Sequence, residues 1–273
     1  MPETFTRTMP DGVRLFATRY GPETTARGWV LLLHGFAEHS GLYGHVIAHL
    51  NAHGFGVVTY DHRGHGRSDG PRASIDHFDQ YVHDLQRMAD ELPGPFFLMG
   101  HSMGGLIATL ASTTLADSLL GLILSSPALA LPVPSWLRGL SGILGRLAPN
   151  LPTANLDRRY LSHDAKVIHR AMHDPLNYHG AVRARMGAEL VRAGAEALAL
   201  APQIDLPMLL FHGTADRITD PDGTAALHAR SPSTDKTLRL LDGLYHETLN
   251  EPEQDQVLAM ITEWLLARTP APT

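Results

Sequence analysis

Residues 96–105 read FFLMGHSMGG, an apolar strand that runs into a serine flanked by glycines. A G-x-S-x-G pentapeptide, here Gly100 to Gly104, between a strand and a helix-like run is typical of a nucleophile elbow. The glycines let the chain turn sharply and let the helix pack close beneath the strand. We therefore expect the hydroxyl of Ser102 to be exposed above the carboxyl end of a sheet strand, where it can act as a nucleophile.

Apolar runs of strand length recur on both sides of this elbow. A hairpin is predicted over 5–20, and strands buried on both faces are predicted over 29–33, 56–60, 95–99, 119–124, 208–211 and 237–241. Helix-like stretches lie between them at 44–53, 78–91, 103–115, 223–229 and 253–267. This alternation predicts an α/β fold, a mostly parallel central sheet flanked by helices.

The alternation stops between residues 127 and 198. That interval is helical in pattern, shows no strand-like run, and carries turn signals such as Pro149-Asn150-Leu151-Pro152. An unstructured linker of this length is uncommon in a compact domain. We predict a helical cap over 128–198, inserted after the sixth strand, on a core formed by 1–127 and 199–273.

A serine nucleophile needs a histidine to take its proton and a carboxylate to orient that histidine. Asp216 follows the strand at 208–211, and His246 follows the strand at 237–241. Ser102, Asp216 and His246 thus occur in the chain order of the α/β-hydrolase fold. The competing carboxylates are Asp220 and Asp222, which suit a helix start, and Asp242, which suits a turn.

Acyl transfer also needs donors for the developing oxyanion, commonly the backbone N–H after the nucleophile and one from a loop after an early strand. The position of Met103 predicts the first donor. Phe36, in the segment that follows the strand at 29–33, is our choice for the second.

Composition excludes several other classes of protein. The chain has 273 residues, no cysteine and a formal net charge of −6, so thiolate chemistry is absent and nucleic acid is an unfavourable partner. The amino terminus lacks the features of a signal peptide, so we expect a cytoplasmic protein.

The mechanism implies no metal and no organic cofactor. His45, His49 and His53 recur at helical spacing, which we interpret as a solvent-facing helix surface rather than a metal site.

Four segments together resemble the monoacylglycerol lipase family of α/β-hydrolases, a group also known as lysophospholipases. They are HGFAEHSG at 34–41, DHRGHGRS at 61–68, GHSMGG at 100–105 and GTAD at 213–216. The resemblance implies that the substrate is a glycerol ester of one fatty acid. It also implies that Ser102, Asp216 and His246 form the triad and that the amides of Phe36 and Met103 form the oxyanion hole.

The chain departs from this family at positions that affect the headgroup. Ala37 stands where relatives often have glycine, Leu42 where they have arginine, and Ala171 where they have tyrosine. Glu38 and His101 match the family and are candidates for contacts to the headgroup. The alternative for both is that they brace the oxyanion loop and the elbow.

One helical stripe in the predicted cap is apolar, formed by Trp136, Leu137, Leu140, Ile143, Leu144 and Leu147. It would either cover the entrance to the site or face outward and rest on a membrane surface, because both arrangements have the same periodicity.

Other functions remain open at this stage. The same triad would serve a carboxylesterase, a lysophospholipase or an aminopeptidase, since the cap selects the substrate. An aminopeptidase would need cap carboxylates to hold a free amine, and the candidates are Asp157, Asp164, Asp174, Glu189 and Glu196. A catalytically silent scaffold that binds a small hydrophobic ligand is the alternative outside enzymes.

Overall fold

The computed structural model describes residues 2–21 and 26–269. Within these ranges one sheet has eight strands: β1 (Glu3–Thr8), β2 (Arg14–Tyr20), β3 (Gly28–Leu33), β4 (Phe55–Tyr60), β5 (Phe96–His101), β6 (Leu119–Ser125), β9 (Met208–Gly213) and β10 (Lys236–Leu241). Two further short strands, β7 (Pro152–Ala154) and β8 (Val182–Arg183), pair with each other.

The strand order across the large sheet is β1-β2-β4-β3-β5-β6-β9-β10. Six neighbouring strands run parallel to one another: β4, β3, β5, β6, β9 and β10. The predicted hairpin β1–β2 lies at one edge of the sheet, and β2 pairs antiparallel with β1 and with β4. Parallel strands end at the same sheet edge, so the loops after β3, β5, β9 and β10 lie near one another. The predicted α/β-hydrolase fold is confirmed, and β5 stands near the centre of the sheet.

Helices lie on both faces of the sheet and in the segment between β6 and β9. They are α1 (Gly44–Ala52), α2 (Asp79–Ala89), α3 (Met103–Ala111), α4 (Ser135–Leu147), α5 (Ala165–His173), α6 (Ala184–Leu200), α7 (Pro221–Arg230) and α8 (Gln254–Leu266). One apolar core lies between the sheet and helices α2, α3, α6 and α7, and the other lies between the sheet and helices α1 and α8. Because strands β3, β4 and β5 contribute side chains to both cores, they are almost continuously apolar in sequence.

Three local predictions were wrong. The strand at the end of the sheet, β10, is half-buried or exposed along its length because it has a neighbour on one side only. Helix α3 ends at Ala111, four residues before the predicted end. His45 and His49 are half-buried rather than solvent-facing: His45 bonds the carbonyl of Leu249 (2.8 Å), and His49 bonds the hydroxyl of Thr262 on α8 (2.8 Å).

The segment between β6 and β9 contains helices α4, α5 and α6, as its helical pattern predicts. The prediction that it has no strand was wrong, since β7 and β8 form a small antiparallel pair. These strands are too short, at three and two residues, to give a periodic signal in the sequence. Among the described residues, no helix combines the length and the apolar character needed to cross a bilayer.

Candidate active site

The predicted elbow is present between β5 and α3. Ser102 has φ = 52° and ψ = −117°, a backbone conformation that a non-glycine residue rarely adopts. A Cβ on Gly100 would lie 2.4 Å from the carbonyl oxygen of Gly104, and a Cβ on Gly104 would lie 2.5 Å from the carbonyl oxygen of His34. Both neighbours are backbone atoms, so only glycine fits at either position.

Ser102, His246 and Asp216 form a continuous hydrogen-bonded series. The distance from Ser102 Oγ to His246 Nε2 is 2.9 Å, and the distance from His246 Nδ1 to Asp216 Oδ2 is 2.7 Å. A carboxylate can only accept, so Nδ1 of His246 carries the proton and the lone pair of Nε2 faces the serine hydroxyl. This is the tautomer a general base requires.

Asp216 is held by several donors in addition to His246. Its Oδ1 accepts the backbone N–H groups of Ile218 (2.7 Å) and Thr219 (3.1 Å), and its Oδ2 accepts the hydroxyl of Thr219 (2.8 Å). Burial alone would raise the pKa of Asp216, but the charge of His246 and the hydrogen bonds from His212 and His246 keep that pKa well below its ordinary value. Asp216 therefore remains ionised.

The competing carboxylates have other partners. Asp220 caps α7 by accepting the N–H of Asp222 (3.0 Å), and Asp222 lies in the first turn of that helix. Asp242 lies in an exposed turn and accepts the hydroxyl of Thr214 (3.3 Å). The structure brings none of the three to His246.

The predicted oxyanion donors flank Ser102. Phe36 and Met103 both line the cavity above the serine, and a Cβ on Gly35 would lie 3.1 Å from Ser102 Cβ, so this loop contacts the elbow directly. Across the described parts of the chain, neither the N–H of Phe36 nor that of Met103 donates to a backbone carbonyl. Both N–H groups therefore lack a backbone acceptor within the described residues.

Glu38 and His101 lie beside the serine together with Glu247, which sequence analysis did not select. Their ligand-type atoms lie within 4.8 Å of one another. Glu38 Oε1 accepts the N–H of Gly35 and the hydroxyl of Tyr43 (2.6 Å), so this carboxyl braces the loop that follows β3. All three side chains also line the cavity, where they are accessible to a bound substrate.

The electrostatics of this cluster depend on His101. Burial opposes its charge, but the carboxylate of Glu247, 3.5 Å away, raises the pKa of His101 to about 9. Burial also acts to raise the pKa of Glu247, yet the charge of His101 lowers it to about 2. Burial and the charge of Glu247 raise the pKa of Glu38 to about 7. His101 and Glu247 are thus an ion pair, and Glu38 is the group that titrates near neutrality.

A cavity of about 420 Å³ opens above Ser102. Apart from the polar groups around the serine, most of its wall is apolar and comes from the segment between β6 and β9, including Leu131, Leu137, Leu144 and Val191. A site of this shape offers one polar corner next to an apolar chamber.

Helix α4 presents two different sides. Leu137, Ser141 and Leu144 line the cavity, and a Cβ on Gly145 would lie 2.8 Å from Ala188 Cβ, so this side packs on α6. We call the other side the outer stripe of α4; it consists of Trp136 (68% exposed), Leu140 (49%), Ile143 (57%) and Leu147 (78%). The apolar stripe seen in the sequence therefore both lines the cavity and faces solvent.

The segment 157–181 is attached to the loops that follow β3 and β10. The backbone N–H of Glu247 donates to the carbonyl of Leu161 (2.7 Å), and the N–H of Tyr178 donates to the carbonyl of Ala37 (3.0 Å). His39 Nε2 lies 3.1 Å from Asp174 Oδ2. Hydrogen bonds from this segment thus hold both the loop that carries His246 and the loop that carries Phe36.

The fold and the linked serine, histidine and carboxylate at the carboxyl edge of its sheet define the class: an α/β-hydrolase of the serine hydrolase type. The family model described as serine aminopeptidase, S33, matches residues 24–253. The chain is 36% identical over 263 residues to the monoacylglycerol lipase of Mycolicibacterium smegmatis, covering 94% of each chain. It is 35% identical to the monoglyceride lipase of Rattus norvegicus, covering 94% of this chain and 88% of the relative.

A solved structure of a monoacylglycerol lipase also resembles this chain. The crystal structure of Paleococcus ferrophilus monoacylglycerol lipase matches with a TM-score of 0.86 and 37% identity, covering 93% of this chain and 99% of that one. The chain therefore belongs to the monoacylglycerol lipase family, within the α/β-hydrolases that the serine aminopeptidase S33 model describes.

Proposed function

We propose that this protein hydrolyses the ester bond of monoacylglycerols, releasing glycerol and a free fatty acid through an acyl-enzyme. The observation that carries the proposal is the hydrogen-bonded series from Asp216 through His246 to Ser102, which opens into an apolar cavity. The names of the relatives support this choice of substrate.

In the first step, His246 Nε2 takes the proton of Ser102 Oγ as that oxygen bonds to the ester carbonyl carbon. The N–H groups of Phe36 and Met103 stabilise the negative charge on the carbonyl oxygen. The bond from carbon to the glycerol oxygen then breaks, and His246 gives its proton to the departing glycerol. In the second step, His246 takes a proton from water as the water oxygen bonds to the acyl carbon. The bond from that carbon to Ser102 Oγ then breaks, His246 returns the proton to Oγ, and the fatty acid leaves.

The division of the cavity supports a substrate with one polar and one apolar end. The apolar chamber suits a fatty acyl chain, and the corner formed by Glu38, His101 and Glu247 suits a headgroup rich in hydroxyl groups. Because the His101–Glu247 ion pair is internally neutralised, this corner favours a neutral polyol over a charged headgroup. We therefore assign Glu38 and His101 to contacts with glycerol.

Ser102→Ala tests the chemistry. We expect turnover on a monoacylglycerol to fall by about 10⁴-fold or more and labelling by a fluorophosphonate probe to disappear. Ser118→Ala, at an exposed turn, is the matched control and should leave both unchanged. Wild-type turnover in the Ser102 variant would overturn the mechanism, and a wild-type protein that the probe does not label would favour a silent binding scaffold.

A rate panel tests the substrate. Monoacylglycerols should be hydrolysed faster than lysophospholipids, triacylglycerols and aminoacyl amides. Faster turnover of a lysophospholipid or a simple carboxylic ester would favour the broader esterase alternative.

An aminopeptidase is disfavoured because the carboxylates between β6 and β9 already have partners. Those partners are Arg159 for Asp157, the N–H of Lys166 for Asp164, His39 for Asp174, and Arg192 for Glu189 and Glu196. Of these five, Asp157 alone lines the cavity, and its bidentate pairing with Arg159 leaves no free carboxylate for a substrate amine.

We further propose that residues 128–198 act as the cap that selects the substrate and that the outer stripe of α4 rests on a membrane surface. The four side chains of the stripe are 49–78% exposed. Exposure of such a surface to water is unfavourable, and its transfer to a lipid interface lowers the free energy. A monoacylglycerol resides in membranes, so contact there would place the cavity next to its substrate.

A further inference from the structure

A second histidine lies on the carboxylate of Asp216. His212 is the penultimate residue of β9, and its side chain is completely buried. Its Nε2 lies 2.9 Å from Asp216 Oδ2, the same oxygen that His246 Nδ1 contacts at 2.7 Å. Two imidazoles thus share one carboxylate oxygen. The imidazole of His246 is hydrogen-bonded to Ser102, and that of His212 is buried at the end of strand β9.

The other nitrogen of His212 decides its tautomer. Its Nδ1 lies 2.7 Å from the hydroxyl of Thr224, a completely buried residue of α7. Burial outweighs the attraction of Asp216 and lowers the pKa of His212, so the ring is neutral and carries one N–H. Since the ionised Asp216 can only accept, the proton is on Nε2, and Nδ1 accepts the hydroxyl proton of Thr224. His212 is therefore a neutral donor with a fixed orientation.

We propose that His212 is a positioning residue of the reaction, which holds Asp216 Oδ2 in place and limits how strongly that oxygen attracts the proton of His246. The inference rests on the proposed roles of Asp216 and His246. The hydrogen-bonded series then has five members: Thr224, His212, Asp216, His246 and Ser102.

Two consequences follow if the donor from His212 is removed. Oδ2 would keep the hydroxyl of Thr219 and the N–H of His246 but would lose the donor that opposes His246, so the carboxylate could rotate away from the imidazole. Its charge would also act more strongly on His246, because fewer donors share it. The acidic limb of the activity profile would therefore move to higher pH.

Among the described residues, charged and titratable groups from three elements face His246 and His212. They are Asp216 after β9, His101 in β5, and Glu247 next to His246. His101 and Glu247 are paired with each other and do not contact His212, so replacing His212 leaves that ion pair unchanged.

The test uses a nearly isosteric pair at this position, His212→Gln and His212→Met. Glutamine can place an N–H near the present position of Nε2, whereas methionine has similar length and no donor. We expect the Met variant to lose at least tenfold in kcat on a monoacylglycerol, with KM within about twofold, and to show an acidic limb shifted upward. The Gln variant should recover most of kcat and the wild-type pH profile.

A spectroscopic readout separates positioning from a structural role. The downfield proton resonance of His246 Nδ1–H should shift or be lost in the Met variant and be retained in the Gln variant, with both folded by circular dichroism. If the Met variant does not fold, Thr224→Val keeps His212 and removes the hydroxyl that fixes its tautomer. That variant should then give a smaller change of the same sign in kcat and in the resonance.

The outcomes distinguish this inference from the proposed function. The role of His212 would be overturned if the Met, Gln and wild-type proteins had equal kcat, the same pH profile and the same downfield resonance. That result would not affect the proposed ester hydrolysis. A wild-type protein that does not hydrolyse monoacylglycerols would overturn the proposed function. The resonance and the rate of fluorophosphonate labelling, which need no substrate, would still report on His212.

Discussion

Replacing Leu140 by aspartate introduces a negative charge into the outer stripe of α4. Complete burial of a leucine side chain is worth about 1.5–3 kcal/mol. Leu140 is 49% exposed, so the part that can leave water on membrane contact is worth about 1 kcal/mol. Repulsion between a charge near the surface and anionic lipid adds about 1 kcal/mol. The sum of about 2 kcal/mol corresponds to a loss of roughly 30-fold in vesicle binding.

The composition of the vesicle separates the two contributions. On neutral phosphatidylcholine vesicles we expect the apolar contribution alone, roughly a fivefold loss, and on vesicles that contain phosphatidylserine the full loss. Binding is measured by sedimentation of the protein with the vesicles. The matched control is Gly142→Asp, on the same helix but away from the outer stripe, where an added Cβ would meet no atom within 4 Å. It should bind nearly as the wild type does.

Hydrolysis provides the second readout. Leu140→Asp should lower the rate on a long-chain monoacylglycerol in vesicles and leave the rate on a short, soluble ester within about twofold, because Leu140 lies outside the set of cavity-lining residues. An equal loss on both substrates, or unchanged binding to anionic vesicles, would refute membrane contact through the outer stripe.

Three further predictions concern the core. Burial lowers the pKa of His65 to about 4, below the ordinary value of 6.5. Between these pH values the unfolded chain binds more protons than the folded protein, so the free energy of unfolding falls as the pH drops. His65→Gln should reduce this dependence of the unfolding free energy on pH by up to ~1.4 kcal/mol per pH unit, measured by urea titrations. Gly104→Ala should destabilise the folded protein by roughly 1–3 kcal/mol, because the added Cβ would meet backbone atoms. Gly142→Ala, where a Cβ would stand in open space, should stabilise the folded protein by up to about 1 kcal/mol. Thermal unfolding measures both changes. Asp216→Asn should lower kcat by about 10⁴-fold without unfolding the protein. The N–H groups of Ile218 and Thr219 would hold the amide oxygen, so the amide NH2 would face His246 Nδ1 and favour the wrong tautomer; retention of wild-type kcat would contradict this.

Much of the fold could be predicted from the sequence because local pattern and global packing agree. Strands covered on both faces are apolar throughout, as β5 shows, and the glycines of the elbow are required by backbone contacts that no other residue allows. The order of Ser102, Asp216 and His246 sufficed to select three residues that the structure brings into hydrogen-bonding distance.

The remainder depended on contacts distant in sequence. Glu247 and His212 belong to the site because of neighbours on other strands and loops, and no spacing rule selects either one among the charged residues and histidines of the chain. The two sides of α4 likewise could not be assigned from periodicity, since an apolar residue that lines a cavity and one that faces solvent follow the same repeat.

The attachment of segment 157–181 to the loops of Ala37 and Glu247 bears on engineering by exchange of modules. A natural way to alter the specificity of such an enzyme is to graft a foreign insertion between β6 and β9. Replacing the whole insertion would remove the backbone hydrogen bonds that hold both catalytic loops, so such chimaeras should lose turnover on every ester. Exchange confined to α4 and its adjoining turns would preserve these bonds. If the proposed cap selects the substrate, one part of it can be varied for new substrates and another part must be inherited with the core.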